Sequence, residues 1–294
     1  MILGPKPLIE PALIEPALRD EALIEDIAAA NRDDGQFRLW WLGQSGFLLQ
    51  WNGCHLLLDP YLSDSLTRKY AATLSPHIRM TALPVQPGRL GFVDVVACSH
   101  SHTDHLDPET LLPLLQANPR LKLVIPEAER ESFENKLSWP ATVGLDQGGA
   151  TEINGFRINA VASAHETVEL DTAGRCRFLG YVVEFGEWAI YHSGDTVLHS
   201  ALAESLKPFR IDAALLPING RRPERRVAGN LNAREAAWLG REIGARTVIP
   251  CHYDMFTFNT VPVGDFVTAA REVGQGWQVV RCGERWESSR LGRG

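Results

Sequence analysis

Ser99-His100-Ser101-His102-Thr103-Asp104-His105-Leu106-Asp107 places three imidazoles and a carboxylate within six positions, in the pattern H-x-H-x-D-H. The preceding run, Val93-Asp94-Val95-Val96-Ala97-Cys98, is apolar and β-branched and reads as a buried strand. The following pair, Asp107-Pro108, reads as an N-cap with proline at the first helical position, opening a helix over 109–116. The ligand-type residues therefore sit on a tight loop between a strand and a helix. His100 and His102 are two apart, so an extended chain points both the same way and lets them pinch one cation. Asp104 and His105 fall where the chain turns and can face a second cation. Neutral imidazole with carboxylate suits zinc, manganese or iron.

The rest of the chain alternates strands and helices. Short apolar runs at 37–42, 46–51 and 55–58 are separated by Gly and by Asn52-Gly53, a hairpin turn signal. The third run ends in Asp59-Pro60-Tyr61. Asp59 is either a turn residue or a carboxylate that holds a metal histidine from behind. Residues 62–91 show little periodicity and read as a long connection of the kind that often covers a site. Arg68 and Lys69 lie in it, either meeting an anionic substrate or simply solvated. Further strands are expected at 121–125, 156–162, 178–185, 188–191, 211–216, 246–250, 278–280 and 285–287, and helices at 127–136, 233–243 and 264–273. Asn232 and Glu235 form a capping-box pattern at the start of the helix over 233–243.

At the N-terminus, residues 8–17 repeat the pentapeptide Leu-Ile-Glu-Pro-Ala, and Pro11 and Pro16 forbid one continuous helix there. An extended arm is expected, then an amphipathic helix over 18–31. That helix either docks on its own domain or meets another subunit. With 294 residues the chain can build one large domain or two fused halves. We divide it into an N-terminal arm and helix (1–36), a main domain (37–288) and a tail (289–294).

Composition narrows the function. The net charge of −7 lacks the basic face that nucleic acid needs. No run of eighteen apolar residues predicts a membrane span, and the first residues lack the unbroken apolar core of a secretion signal. Five scattered cysteines, none in C-x-x-C spacing, fit a reduced, cytoplasmic compartment. We expect Cys98 and Cys251 to be small core residues.

His165, Asp195 and His252 share a feature with the histidine-rich loop: each follows the end of an apolar strand. In layered α/β folds such loops gather at one edge, where sites form. Together the four loops offer seven ligand residues, enough for two cations. On this set the chain resembles the metallo-β-lactamase superfamily over about residues 37–288. Six stretches resemble one branch, the ascorbate-6-phosphate lactonase group: Trp40 to Gly46, Leu58 to Tyr61, Ser193 to Thr196, Leu216 to Arg221, Gly229 to Leu231 and Pro250 to Phe256.

The resemblance implies an α/β fold, a four-layer αββα sandwich holding one or two divalent cations, Zn²⁺ or Mn²⁺. It implies that His100, His102 and His165 bind the first metal and that Asp104, His105 and His252 bind the second, with Asp195 bridging. It places Asp59 behind the metal histidines. It implies a hydrolase that opens a lactone or cleaves an ester of a small anionic metabolite, a phosphorylated sugar acid, with Asp104 as the catalytic carboxylate that orients water and accepts its proton. We expect a homo-oligomer. Arg221-Arg222-Pro223-Glu224-Arg225-Arg226 could meet the phosphate or be a solvated or subunit-bridging loop, and Asn219 and Arg221 are the substrate candidates. The chain is shorter than lactonases of that branch and has its own N-terminal arm. A phosphodiesterase on the same dinuclear site is the alternative reading, and a non-catalytic binding protein is a third.

Overall fold

The computed structural model describes residues 12–30, 34–137, 139, 142–225 and 227–291. Residues 8–11 of the repeat, Asn31, Arg226 and the last three residues of the expected tail lie outside the described residues.

Successive side chains of a strand point to opposite faces of its sheet. Leu39, Trp41, Phe47, Leu49, Leu56 and Leu58 belong to one buried cluster, and Trp40, Leu42, Leu48 and Leu57 to another. A sheet buried on both faces must lie inside a stack of layers. In chain order the elements are α1 (Asp20–Ala30), β1 (Arg38–Gly43), β2 (Gly46–Trp51), β3 (Cys54–Leu58), α2 (Ser65–Tyr70), β4 (Val95–Ala97), α3 (Pro108–Ala117), β5 (Lys122–Pro126), α4 (Glu127–Leu137) and β6 (Thr142–Leu145). There follow β7 (Ala150–Ile153), β8 (Phe156–Ala162), β9 (Leu179–Phe185), β10 (Trp188–His192), α5 (Leu202–Leu206), β11 (Ala213–Pro217), α6 (Ala233–Glu242), β12 (Thr247–Cys251), α7 (Val263–Val273) and β13 (Arg285–Glu287).

The strands form two mixed sheets, of order β13-β1-β2-β3-β4-β5-β6 and β12-β11-β10-β9-β8-β7. The larger cluster fills the space between them, joining Phe47 and Leu58 of the first sheet to Phe156, Tyr181 and Ile190 of the second. On the other face of the first sheet, Leu23 and Ile27 of α1, Leu111 and Leu114 of α3 and Phe133 of α4 pack on Trp40, Leu48, Leu57 and Val96. α6 packs on β11 and β12, and α7 packs on α6. The expected αββα layering is thus what the chain builds.

α1 docks on its own sheet, and Trp40 Nε1 donates to Asp26 Oδ2 at 2.9 Å. The second copy of the pentapeptide runs beside residues 80–82: Ile14 N donates to Met80 O at 2.7 Å and Ala82 N to Ile14 O at 2.9 Å. The strand expected at 278–280 is a correction. Only an isolated bridge forms there, between Val248 and Trp277, with Gln278 N donating to Val248 O at 3.0 Å. The apolar residues of this segment cover the edge of β12 without extending a ladder. Two strands, β6 and β7, and two short helices, α2 and α5, were not anticipated.

The topology places the site. β3, β4 and β5 run parallel, as do β10, β11 and β12, so the loops that leave them collect at one edge. Hydrogen bonds tie the loops of the two sheets together there: Leu179 N to Ser99 O at 2.9 Å, Tyr181 Oη to Cys98 O at 2.8 Å and His252 N to Gln44 O at 2.9 Å.

Candidate metal centre

β4 ends at Ala97, and the chain turns through His100 to His105 before the Asp107 side chain caps α3 by accepting from Glu109 N. His165 lies beyond β8, Asp195 beyond β10 and His252 directly after β12. His252 has φ +60 and Gln44 φ +49, backbone conformations that L residues take up only when surroundings hold them. Gly194, at φ +58, lets two loops meet: a Cβ there would sit 2.5 Å from Ser99 Cβ.

The predicted ligand residues converge. His100, His102 and His165 bring ligand atoms within 4.8 Å of one another, as do His100, His105 and Asp195, and as do Asp104, His105 and His252. Asp195 sits between the groups. Its Oδ1 is 3.4 Å from His105 Nε2, and its Oδ2 is 3.2 Å from His252 Nε2 and 3.8 Å from His165 Nε2. Asp104 Oδ2 lies 3.7 Å from His105 Nε2 and 3.8 Å from His252 Nε2.

Three imidazoles are oriented from behind. His105 Nδ1 bonds Asp59 Oδ2 at 2.7 Å, His165 Nδ1 bonds Gly229 O at 2.9 Å, and His100 Nδ1 bonds Ser99 Oγ at 3.0 Å. Donation through Nδ1 leaves the Nε2 lone pair of each ring free to face the site. His100 Nε2, His105 Nε2 and Asp195 Oδ1 are buried and have no hydrogen-bond partner. Bare buried donors of this kind call for a counterpart. The imidazole-carboxylate set fits one or two divalent cations.

Residues 55–253 match the family model described as the Beta-lactamase superfamily domain. The chain belongs to the beta-lactamase superfamily. It is 28% identical over 223 residues to a UPF0173 metal-dependent hydrolase of Caldivirga maquilingensis, covering 74% of this chain and 82% of the relative. A second such protein, from Saccharolobus solfataricus, is 26% identical over 253 residues, covering 84% of this chain and 97% of the relative. Among solved structures, the metallo hydrolase Igni18 of Ignicoccus hospitalis aligns with TM-score 0.64 at 19% identity, covering 86% of this chain and 98% of that one. An isothiocyanate hydrolase from Delia radicum gut bacteria aligns with TM-score 0.68 at 21% identity, covering 85% and 98%. These two likenesses show the fold.

In this superfamily member the electrostatics follow from burial and from the mutual charges of the donors. Burial, together with the neighbouring imidazoles, holds His100 well below the ordinary histidine range, and burial lowers His102 as well. Burial alone would also lower His105, but the carboxylates of Asp195, Asp59 and Asp104 override it and raise it well above that range. His252 is raised in the same way, burial being outweighed by Asp195 and Asp104. Against the burial that would raise them, the imidazoles hold Asp59, Asp104 and Asp195 below the usual carboxylate range. The carboxylates thus stay ionised and demand positive charge beside them.

Asp59 is a positioning residue rather than a bare turn. Its Oδ1 accepts from Ser99 N at 2.6 Å, and its Oδ2 from Ser99 Oγ at 2.6 Å and from the His192 ring at 2.8 Å, besides His105. Sequence reasoning gave no role to His192, Ser99 or Gln44. Gln44 Nε2 donates to Asp104 Oδ2 at 2.8 Å and lies 3.1 Å from His252 Nε2. The available signal was its place in the two-residue turn between β1 and β2, at the same edge as the other loops.

His102, Asp104, His165, Asp195 and His252 line a cleft of about 420 Å³. Asn219 and Arg221 do not line it; they line a neighbouring cavity of about 380 Å³. Arg221 makes a two-pronged ion pair with Glu235, with contacts of 3.0 and 2.6 Å. Asn219 is buried between Asn259 and Asn230. Arg225 is buried on Asn219 O, Asn259 and Thr260 O rather than solvated. Of the two neighbouring basic residues considered as anion contacts, Arg68 pairs with Glu109, while Lys69 lines the cleft. Cys98 and Cys251 are buried core residues, and the cysteines are all free thiols. No described helix is long and apolar enough to cross a membrane.

Proposed function

We propose that this chain is a metal-dependent hydrolase acting on a lactone or other carboxylic ester of a small anionic metabolite. The observation that carries the reading is the set of His100, His105 and His165 rings, each tethered through Nδ1 and turned with Nε2 towards Asp195 or its neighbours. The names of the relatives, metal-dependent hydrolases, support it. His100, His102 and His165 would hold one cation and Asp104, His105 and His252 another, with Asp195 between them. When bound, such cations lower the pKa of water from about 15.7 towards 7 and take up negative charge on a substrate oxygen.

The chain's own groups do the rest. Asp104, kept ionised and pinned by Gln44, aligns the attacking water and receives its proton. Lys69 supports an anion in the cleft, and a phosphorylated sugar acid, as the lactonase resemblance implies, is one such anion. Imidazole with carboxylate suits zinc and manganese alike.

The test is elemental analysis of the purified protein, then assays with each metal restored. The panel is a phosphorylated sugar lactone, its dephosphorylated analogue, a simple ester and bis(p-nitrophenyl) phosphate. Lactone or ester turnover is expected, with Asp195→Ala and His102→Ala losing both turnover and bound metal. Turnover of the phosphodiester alone would replace this reading with a phosphodiesterase. A metal-free variant with full activity would end it.

A further inference from the structure

Besides the polar donors, the cleft is lined by a cluster of rings. Tyr70 and His77 stack with centroids 4.1 Å apart and planes 17° apart. His77 meets Phe258 at 4.5 Å and, edge-on, Phe256 at 5.1 Å. All four residues line the same cleft as Asp104, His165, Asp195 and His252. Phe256 is buried, whereas Tyr70, His77 and Phe258 are partly exposed. Lys69, on the same lining, holds its Nζ 5.2 Å from the Tyr70 ring centroid.

This wall is built in advance. Tyr70 ends α2, and Phe256 and Phe258 follow the loop after β12. Arg79 fastens the two segments together. Its guanidinium donates to Asp64 and Ser63 O beside α2, and to Met255 Sδ at 3.2 Å beside Phe256. His77 Nδ1 bonds Ser75 O at 3.1 Å, which fixes how its ring is turned. A rigid ring surface loses little on binding. The cleft volume is that of a small-molecule site.

We infer that Tyr70, His77, Phe256 and Phe258 form a subsite for a planar unsaturated ring, so that the substrate is an ester or lactone bearing an aromatic or similarly flat group beside the hydrolysed bond. The ring subsite stands on the geometry alone; the ester or lactone bond, and its placement at the metal donors, rest on the hydrolase reading.

The experiment compares 3-phenylpropanoate with 3-cyclohexylpropanoate by calorimetry on the metal-loaded protein. The carboxylate and the spacer are the same. Cyclohexyl is the more hydrophobic group, so a merely apolar wall would favour it. The ring subsite requires the phenyl compound to bind about three- to tenfold more tightly, the range of an aromatic pair contact. Phe258→Leu and His77→Leu, which keep an apolar side chain, are each expected to erase that preference without lowering metal content. Equal affinities, a cyclohexyl preference, no binding of either acid, or a phenyl preference that survives both substitutions overturns the inference. The methyl esters of the two acids separate it from the hydrolase reading. Ring-selective binding with no ester turnover under any metal leaves the subsite standing and removes the hydrolase. Turnover of both esters with no ring preference does the reverse.

Discussion

Four hydrogen bonds end on the Asp59 carboxylate, from Ser99 N, Ser99 Oγ, His105 and His192. Three of these donors sit on the loop of residues 99–105 and the fourth ends β10, so one side chain orients the H-x-H-x-D-H loop against β10. Asp59→Asn keeps the shape but turns one acceptor into a donor facing donors. Groups behind metal ligands are typically worth 10–100-fold in metal affinity. A loss of about that size is expected for Asp59→Asn in a competition titration with a chelator; unchanged affinity would mean the carboxylate does not set the His105 tautomer. A second residue reports on stability away from the site. His55 is lowered by burial, with Asp94 opposing, and its Nε2 lies 2.9 Å from Gln50 Nε2, which also donates to Ile27 O. A lowered histidine pKa means the unfolded chain takes the proton more readily. Stability is therefore full above the ordinary value of about 6.5 and falls as pH drops below it. Urea unfolding with chelator present is expected to show that fall, and His55→Gln to flatten it. A variant with the wild-type slope would assign the fall to other groups.

At the scale of elements, the close meeting of the loops after β4 and β10 is the sensitive joint. Gly194→Ala would drive its Cβ against Ser99 Cβ and Oγ at 2.5 and 2.6 Å, in a left-handed backbone besides. Overpacking of this kind costs about 1–3 kcal/mol, and the displaced loop carries Asp195. Lower denaturant stability together with weaker metal binding is the expected pair of results. Asn232→Ala is the contrasting case. It removes the capping box of α6 and about 1 kcal/mol, and it should leave metal affinity alone. Equal effects of the two on metal binding would remove the special standing of the Gly194 joint. These elements also show what could be read from the chain. β1 to β3, α3 and α6 were legible because apolar period, the Asn52-Gly53 turn and the Asp107 and Asn232 caps are local signals. The convergence of the metal-type residues was legible because each follows a strand end. β6 and β7 were not, since Thr142–Leu145 and Ala150–Ile153 are short and half-exposed and gain strand character only from their neighbours. Arg221 was misplaced because its partner Glu235 sits in the next helix, and no periodicity encodes that pairing. The ring wall was missed because its members come from segments 70–77 and 256–258, which only tertiary contacts with Arg79 bring together.

For the molecule as a whole, the donors are divided between the two sheets. His100, His102, Asp104 and His105 leave the first sheet at β4, while His165, Asp195 and His252 leave the second at β8, β10 and β12. Cations held by both sets would cross-link the halves, and a ligand that binds only the folded state stabilises it by mass action, by about 2.7 kcal/mol at a hundred times its dissociation constant. For a chain of this size each kcal/mol moves Tm by about 2–4 °C. Stripping metal with a chelator is thus expected to lower Tm by roughly 5–10 °C, and restoring zinc or manganese should return it in proportion to metal bound. Asp195→Ala takes the donor that touches His105 on one side and His165 and His252 on the other, so its Tm should hardly respond to chelator. Asn232→Ala should start lower and still show the full shift. If the Asp195 variant shifted as much as the parent, the metal would be binding somewhere other than the seam between the sheets.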